Sequence, residues 1–352
     1  MHLSTLRRAS ALVAATSVAM LGLSACATGS SDGDGAAAPT ANTSADADAF
    51  PVTIESTYGE ATIEEEPQRV VTLGVDGDVV AALGVAPIAV QKMTWGGNAA
   101  GSTDWFDAAL AEIDGAEAPE LIDVTDAVPT DQIIGLEPDV VIATNSGMTQ
   151  EDFDKLSDAG IPVVAHPGVQ WATTWEQSAE LTGEALGRSA AADEIIAETK
   201  ADLEATAEEH PEIVGASFLW AFFDPTDISN IGIYTAVDNR PAILEELGMV
   251  SPPIVAEGGT DSFFFNVSAE RGAELDADVI MAYGTTVEES ETLLASPVLQ
   301  QIPPIANGNY VITLEPNDTL GFSFPSVLGI PYALDHFIPE VAAAIGGEPQ
   351  VY

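Results

Sequence analysis

The sequence contains one pattern twice, and this repetition constrains the fold more than any other feature. Residues 130–143 read T-D-Q-I-I-G-L-E-P-D-V-V-I-A, and residues 269–282 read A-E-R-G-A-E-L-D-A-D-V-I-M-A. In both copies a leucine is followed by an Asp-Val pair that opens an apolar run typical of a buried strand. An acidic residue, Asp131 or Glu270, also precedes each leucine by five positions. The pattern indicates two related units, in which the leucine and valine are core residues and the aspartates cap or hydrogen-bond locally.

Short apolar runs alternate with amphipathic segments on both sides of a long helical stretch. In the first block, R-V-V-T-L (69–73) is typical of a buried strand, and a helix capped by Asp76 is predicted to end at Gly84. Residues 173–210 are predicted to be helical with an interruption at Gly187. The alternation predicts an α/β fold with two Rossmann-like lobes, each with a central, mainly parallel sheet. A long helical spine joins the lobes, and a ligand cleft lies between them.

The first fifty residues are predicted to lie outside this fold. Arg7 and Arg8 precede an apolar run that is too short to span a bilayer, as in a secretory signal peptide. The sequence L-S-A-C ending at Cys26 resembles a lipobox, so Cys26 would become the lipidated first residue of a lipoprotein. The predicted segments are a lipoprotein signal peptide (1–25), a flexible tether (26–50), an N-terminal α/β lobe (51–172), linking helices (173–210) and a C-terminal α/β lobe (211–352).

The charge of the chain excludes some classes of function. The formal net charge is −47, from 56 acidic and nine basic residues. Repulsion from phosphates makes nucleic-acid binding untenable. A solvating acidic surface is the simplest interpretation, and attraction of cationic ligands is the alternative. Because Cys26 is the sole cysteine, the predicted body can contain neither a disulfide nor a thiolate metal site.

The sequence carries no motif that indicates catalysis. It contains no G-x-S-x-G elbow, no P-loop and no H-E-x-x-H motif. The histidines after the predicted signal peptide, His166, His210 and His336, are scattered and have no ligand-type residues at a persuasive spacing. We therefore expect no enzymatic activity and no metal ion held directly by protein side chains.

Several short segments, taken in their order and spacing, resemble the substrate-binding lipoproteins of bacterial ABC importers for ferric siderophores, cobalamin and haem. They are residues 52–73, 81–90, 136–143, 159–164, 244–249, 296–311 and 332–335. The resemblance implies a monomer, anchored on the extracytoplasmic face of the cell membrane, that delivers its ligand to a permease dimer with a cytoplasmic ATPase. In this family one acid at the tip of each lobe pairs with permease arginines, and the matching positions here are Asp131 and Glu270. The family usually has glutamate at the first position, so Asp126 or Glu137 could share the contact of the shorter Asp131.

The cleft is expected at the loops that follow the strands, with aromatic walls and few cations. The candidate ligand-binding residues are Lys92, Trp95, Trp105 and Trp171 in the first lobe, and Trp220, Phe222, Tyr234, Arg240, Tyr283 and Phe324 in the second. Two cleft cations are too few for strongly anionic catecholate or citrate complexes, so a neutral or cationic ferric hydroxamate is favoured. Iron would enter only as a chelate, with no resident cofactor. Cobalamin or haem binding is the alternative, and a siderophore hydrolase or a purely adhesive lipoprotein is a more distant one.

Overall fold

Five parallel strands form the central sheet of the first half of the protein. The computed structural model describes residues 44–352, so the predicted signal peptide, Cys26 and most of the predicted tether lie outside it. The strands are β1 (Val52–Glu55) and β2 (Glu60–Ile63), an antiparallel pair, then β3 (Val70–Thr72), β4 (Ala89–Gln91), β5 (Glu120–Ile122), β6 (Val140–Ala143) and β7 (Val163–Ala165). The last five have the spatial order β5-β4-β3-β6-β7, and each pairing is parallel. Their apolar side chains are buried because helices cover both faces.

Helices connect these strands and then carry the chain to the second half. They are α1 (Asp76–Ala82), α2 (Asp104–Ala111), α3 (Thr130–Gly135) and α4 (Gln150–Asp158), followed by the linking helices α5 (Trp175–Ala185) and α6 (Ser189–Glu209). Gly187 separates α5 from α6 with a left-handed φ of 65°, as the sequence predicts. In α6 one face, including Ile195 and Leu203, is buried against the core.

The second half contains a six-stranded mixed sheet. Its strands are β8 (Phe218–Phe223), β9 (Asn230–Tyr234), β10 (Phe264–Ser268), β11 (Val279–Tyr283), β12 (Tyr310–Thr313) and β13 (Gln350–Val351). Its helices are α7 (Asn239–Glu246), α8 (Val287–Leu294), α9 (Pro303–Asn307), α10 (Asn317–Ser323) and α11 (Gly329–Ile345), with 3₁₀ turns at Pro253–Gly258, Ala269–Glu274 and Leu299–Gln301. The spatial order is β10-β9-β8-β11-β12-β13, with antiparallel pairings at β10-β9 and β9-β8 and parallel pairings elsewhere. The predicted α/β architecture is confirmed, and the antiparallel hairpin of β9 and β10 is an addition to it.

The repeated aspartates fix the starts of two parallel strands. Before β6, Asp139 Oδ2 accepts hydrogen bonds from the backbone N–H groups of Gln68 and Arg69, both at 2.8 Å. Before β11, Asp278 Oδ2 accepts from the backbone N–H and the hydroxyl of Ser217, both at 2.7 Å. The prediction that these aspartates act locally is wrong, because their partners precede the neighbouring strands β3 and β8. The repeated pattern therefore sets strand register in the same way in both halves.

The Asp76 side chain does not cap α1, so the prediction that it caps this helix is wrong. Its carboxylate accepts hydrogen bonds from the backbone N–H and the hydroxyl of Thr144, at 2.6 and 2.7 Å, and from the Ser178 hydroxyl at 2.6 Å. Asp76 is fully buried, and burial raises its pKa despite these bonds. The side chain ties α1 to the end of β6 and to α5. The predicted end of the helix at Gly84 is confirmed by its left-handed φ of 75°.

The last helices of the chain pack back against the first half. The Asp78 carboxylate of α1 accepts hydrogen bonds from Trp105 Nε1 at 2.8 Å and from the Ser326 hydroxyl at 2.5 Å. The Trp105 ring also lies 4.9 Å from the ring of Tyr332 on α11. One hydrophobic core thus contains side chains from both sheets. Within residues 44–352, no helix has the length and apolar composition that a membrane crossing requires.

Candidate functional site

Two aromatic contacts connect loops of the first half with the second half. The Trp95 ring, in the loop after β4, meets the Tyr283 ring edge-on at a centroid distance of 5.3 Å. The Trp171 ring, after β7, meets the Phe324 ring edge-on at 6.2 Å. The two tryptophans remain 43% and 44% exposed, so each still presents part of its ring to solvent. Large aromatic side chains that face another part of the protein and remain exposed are typical of a ligand-binding surface.

The position of Trp171 depends on a glycine beneath its ring. A Cβ atom on Gly147 would lie only 2.7 Å from Cζ2 of Trp171, so a larger residue there would displace the ring. Trp171 itself has a left-handed φ of 62°, which is uncommon for a bulky side chain. The preceding Gln170 anchors the segment, since its Nε2 donates to the Met148 carbonyl at 2.7 Å. The loop after β7 therefore holds this ring in a defined place.

The exposed aromatic side chains of the second half stand on a sheet face as well as on loops, and together with Trp95 and Trp171 they are called the aromatic wall below. Phe222 pairs with Gly232 across β8 and β9, and Tyr234 pairs with Phe264 across β9 and β10. Paired residues share a face, as do residues two positions apart, so Phe222, Tyr234 and Phe264 lie on one side. Phe222 and Phe264 are exposed there and Tyr234 is half-buried. The exposed aromatic side chains of this half are therefore not confined to loops, because the β9–β10 hairpin widens the sheet.

Phe263 and Phe264 belong to this wall and were not predicted from the sequence. They are 53% and 38% exposed, and their rings are 4.9 Å apart. The Tyr234 ring lies 6.3 Å from Phe263 and 6.5 Å from Phe264. A usable signal was present in D-S-F-F-F-N (261–266). Side chains alternate along a strand, so three consecutive phenylalanines cannot all face one core.

Arg240 is held against this wall by an aromatic ring and a carboxylate. Its Cζ lies 3.8 Å from the centroid of the Tyr234 ring. Its Nε and Nη2 donate to the two oxygens of Asp238, each at 2.7 Å. Burial lowers the pKa of Arg240, but the hydrogen bonds and the charge of Asp238 outweigh this effect and raise it above the ordinary value. The guanidinium is thus permanently charged, fixed in orientation and already paired.

Lys92, the second predicted cation, lies near the edge of the first sheet. Its Nζ is 3.8 Å from Asp123 Oδ2, and both side chains are about half exposed. An exposed ion pair of this kind contributes roughly 0–1 kcal/mol to stability, so it constrains the ammonium group weakly. In the described part of the chain, no cation–aromatic contact joins Lys92 to the tryptophans.

Two of the predicted wall residues lie in the core. Trp220 is 1% exposed, and its ring lies 5.4 Å from Phe337 and 6.5 Å from Phe322. Trp105 is 8% exposed and its Nε1 is bound by Asp78. The assignment of these two tryptophans to the cleft surface is corrected here, because the C-terminal helices cover both rings.

Two small half-open hollows lie near the strand ends. A cavity of about 20 Å³ is bordered by Gly74, Asp78 and Phe106, and one of about 50 Å³ is bordered by Phe223 and Ser290.

Comparison with known proteins identifies the family. Residues 72–317 match the periplasmic binding protein family, which is well over half of the chain. The chain belongs to the periplasmic binding protein family. This family is one of binding proteins and not of enzymes, in agreement with the sequence-based expectation at that level.

Solved structures and a curated relative are similar to this periplasmic binding protein. PiaA of Streptococcus pneumoniae TIGR4, solved in complex with ferrichrome, is 31% identical, with a TM-score of 0.75 over 84% of this chain and 99% of that one. A periplasmic solute binding protein from Mycobacterium smegmatis str. MC2 155 is 25% identical, with a TM-score of 0.70 over 84% of this chain and 99% of that one. The uncharacterized ABC transporter substrate-binding lipoprotein YvrC of Bacillus subtilis (strain 168) is 28% identical over 158 residues, 44% of this chain. The match spans about half the length of that curated relative, 46%.

The two acids that the sequence predicts as docking residues of this periplasmic binding protein are both exposed. Asp131 lies in the first turn of α3, and Glu270 lies in the 3₁₀ turn after β10. Within residues 44–352, neither carboxylate forms an ion pair. The adjacent Arg271 pairs instead with Glu257 at 2.9 Å and Glu274 at 2.7 Å. Both predicted acids are therefore available to an external cation.

No protein metal centre is formed by the described residues. Within residues 44–352, no group of three or more His, Cys, Asp or Glu side chains is placed to hold a metal ion. His166 is buried, its Nδ1 lies 3.0 Å from the Gly168 carbonyl, and burial lowers its pKa. Its ring packs on Tyr58 at 4.8 Å, which is a structural contact.

Proposed function

We propose that this protein is the substrate-binding component of an ABC importer and captures a ferric siderophore, of neutral or cationic hydroxamate type, without altering it chemically. The observation that carries the proposal is the arginine laid on a tyrosine ring, 3.8 Å away, within an exposed aromatic wall. The similarity to PiaA, which was solved with ferrichrome, supports the siderophore class.

The wall is suited to the outer shell of a metal chelate. Aromatic rings bury the apolar part of the chelator, and each large ring removes extensive surface from water. Arg240 adds fixed N–H donors, of which Nη1 is not engaged by Asp238 and can donate to hydroxamate oxygens. In this proposal the chelator alone coordinates the iron, and the protein supplies neither metal ligands nor a resident cofactor.

Ligand entry requires the aromatic contacts between the halves to part. A chelate placed between Trp95 and Tyr283 would replace the 5.3 Å contact between these rings. The α6 helix connects the two sheets, so the expected motion is a small hinge adjustment about this helix.

Ligand class is tested by titrating tryptophan fluorescence with ferrichrome, haem and cobalamin in parallel. We expect quenching by ferrichrome, because Trp95 and Trp171 lie in the wall and are exposed. Trp95→Ala and Trp171→Ala should each weaken binding by about tenfold or more, as for central aromatic anchors. Val214→Ala removes an exposed apolar side chain elsewhere and should leave affinity unchanged. Binding of haem or cobalamin without binding of ferrichrome would contradict the proposal, and mass spectrometry of the recovered chelator tests whether it is cleaved.

Delivery to a permease is proposed to use Asp131 and Glu270, one from each half. Two exposed carboxylates that form no ion pair within residues 44–352 can pair with arginines of a two-fold permease. Asp131→Asn combined with Glu270→Gln should abolish uptake of radioactive ferrichrome iron by cells while leaving ligand affinity unchanged. The matched control is Glu194→Gln with Glu198→Gln, which removes two exposed charges from α6. Normal uptake by the docking variant would refute this assignment.

Attachment to the extracytoplasmic face of the membrane is proposed through Cys26, which lies outside the described residues. Two acyl chains give stable anchoring where one is marginal. Cys26→Ser should abolish incorporation of radioactive palmitate and release the protein from the membrane fraction. Retention of the variant in that fraction would refute the proposed anchor.

A further inference from the structure

The lysine and arginine side chains of residues 44–352 are already engaged by groups of the chain itself. The described part contains seven lysine and arginine residues, since two of the nine are Arg7 and Arg8. Six of the seven form ion pairs: Lys92 with Asp123, Lys155 with Glu151, Arg188 with Glu66, Lys200 with Glu176, Arg240 with Asp238, and Arg271 with Glu257 and Glu274. The seventh, Arg69, donates to backbone carbonyl groups. Within residues 44–352, each lysine and arginine is therefore bound to an acid of the chain or, in the case of Arg69, to backbone carbonyl groups.

The Arg240–Asp238 pair is the one that lies in the aromatic wall. Both side chains are about nine-tenths buried, at 12% and 10% exposure, and two parallel hydrogen bonds of 2.7 Å join them. Asp238 is held in place independently, because its Oδ1 also accepts from the backbone N–H of Arg240 at 3.0 Å as the N-cap of α7. Arg240 in turn lies on the Tyr234 ring. The acid therefore cannot swing away when a ligand arrives.

We propose that Asp238 determines the charge of the ligand that this site accepts, by cancelling the charge of Arg240 while leaving Nη1, which Asp238 does not engage, as a donor to the ligand. The inference rests on the proposed function, since it concerns ferric chelates bound at the same wall. Asp238 is a positioning and selectivity residue, and it acts on the ligand through Arg240 and through its own field. The site then favours neutral and cationic complexes over anionic ones.

The physical reason is that the Asp238 charge would act on the ligand from a short distance and is only weakly screened by salt. A carboxylate in a buried pair is screened by salt far less than one on the surface. At roughly 8 Å, in a partly solvated site, one such charge changes affinity by about two- to fivefold for each unit of ligand charge. The remaining acidic surface repels anions as well, but that long-range effect falls with ionic strength and acts mainly on the association rate. The two contributions can therefore be separated.

The test uses a series of ferric trihydroxamates with one chelating core and a pendant ammonium, amide or carboxylate group, which differ by one charge at each step. Affinities are measured by calorimetry for the wild type and for Asp238→Asn at low and high salt. Asparagine can still cap α7, so the fold is preserved, and thermal unfolding checks this. The wild type should prefer the cationic member. The variant should shift this preference towards the anionic member by roughly two- to fivefold per unit charge, with most of the shift kept at high salt.

The matched control is Asp227→Asn, which removes the same charge from an exposed turn where Asp227 accepts from the Ser229 backbone N–H. This variant should alter charge preference little, and only at low salt. An equal dependence on ligand charge in the wild type and Asp238→Asn would overturn the inference while leaving the proposed function intact. Failure of the wild type to bind any member of the series would overturn both.

Discussion

Replacing Asp78 by asparagine tests what a buried carboxyl group at the junction of the two halves does to stability. Its Oδ2 accepts from Trp105 Nε1 at 2.8 Å and from the Ser326 hydroxyl at 2.5 Å. Burial raises the pKa of Asp78 to about 6, against the hydrogen bonds from Ser326 and Trp105, which lower it. The charge of the neighbouring Asp76 raises it further. Folding therefore disfavours the ionised form of this group.

The sign of the pH effect follows from the two pKa values. The ordinary pKa of the aspartate, 3.8, applies to the unfolded chain. The Asp78 carboxyl keeps its proton up to a higher pH in the folded protein than in the unfolded chain. Its contribution to the free energy of unfolding is therefore complete below the unfolded pKa and is lost as the pH rises through about 6. The full difference is about 3 kcal/mol in the free energy of unfolding. Roughly 1.4 kcal/mol of it is lost between about pH 5 and about pH 8.

The assay is urea unfolding at these two pH values, monitored by tryptophan fluorescence. The wild type is compared with Asp78→Asn. The many other acids titrate in both proteins, so the difference between the two reports on Asp78 together with its coupling to Asp76. The loss of stability from about pH 5 to about pH 8 should be roughly 1.4 kcal/mol smaller in the variant. The control Asp227→Asn should leave the change between these two pH values as in the wild type, because the hydrogen bond from Ser229 lowers the pKa of that exposed group and both the folded and the unfolded chain hold it ionised from about pH 5 upwards. Parallel pH dependences for the wild type and Asp78→Asn would refute the reasoning.

Four further substitutions test the packing described above. Asp139→Ala and Asp278→Ala each leave hydrogen-bond donors at a strand start unpaired, and each should lower the free energy of unfolding by about 1–3 kcal/mol in urea titrations; a change within experimental error would contradict their role in strand register. Gly147→Ala should displace the Trp171 ring and weaken ferrichrome binding in calorimetry with little change in melting temperature, whereas unchanged affinity would show that the ring is not in the binding wall. Trp220→Ala should destabilise the protein by about 3–5 kcal/mol, as expected for a core aromatic, and a loss below about 1 kcal/mol would contradict its burial.

Much of the framework was predictable because it depends on local periodicity. The apolar run predicted as a strand at residues 139–143 forms β6, and the amphipathic segment after it forms α4. Gly160 and Gly187 have left-handed φ angles, which explains why the helices before them end there. Such features involve residues within one or two turns of each other, so a single sequence contains the information needed to predict them.

The roles of the buried carboxylates could not be predicted in the same way. An aspartate at the start of a helix favours a cap, yet Asp76 binds Thr144 and Ser178, which lie 68 and 102 residues away. Asp139 likewise binds the N–H of Gln68, 71 residues before it. These bonds form only when non-neighbouring segments meet in the sheet, and the sequence pattern does not show which segments meet.

Aromatic side chains presented the same difficulty. Trp95 and Trp220 were both predicted to line the cleft. Trp95 is exposed, whereas Trp220 is covered by Phe322 and Phe337. The covering residues come from α10 and α11, which are the last two helices of the chain. Composition and strand pattern give no measure of this cover, so the choice between wall and core needed the structure.

The repeated Leu-x-x-Asp-Val pattern occurs in both halves, whereas the β9–β10 hairpin belongs to the second half alone. This hairpin accounts for the difference between the two sides of the candidate site. The aspartates of the repeat fix the parallel strands of both sheets alike, so this shared framework does not distinguish the walls. The distinction comes from β9 and β10, an antiparallel addition that carries Tyr234 and Phe264 on the sheet face. Glu270 follows β10 directly, and the pairings of Ser268 with Asn230 and of Phe223 with Ile231 place the end of β10 at the edge where β8 ends. One five-residue strand thus begins at the aromatic wall and ends beside the predicted docking acid, so both features of this half depend on the same hairpin.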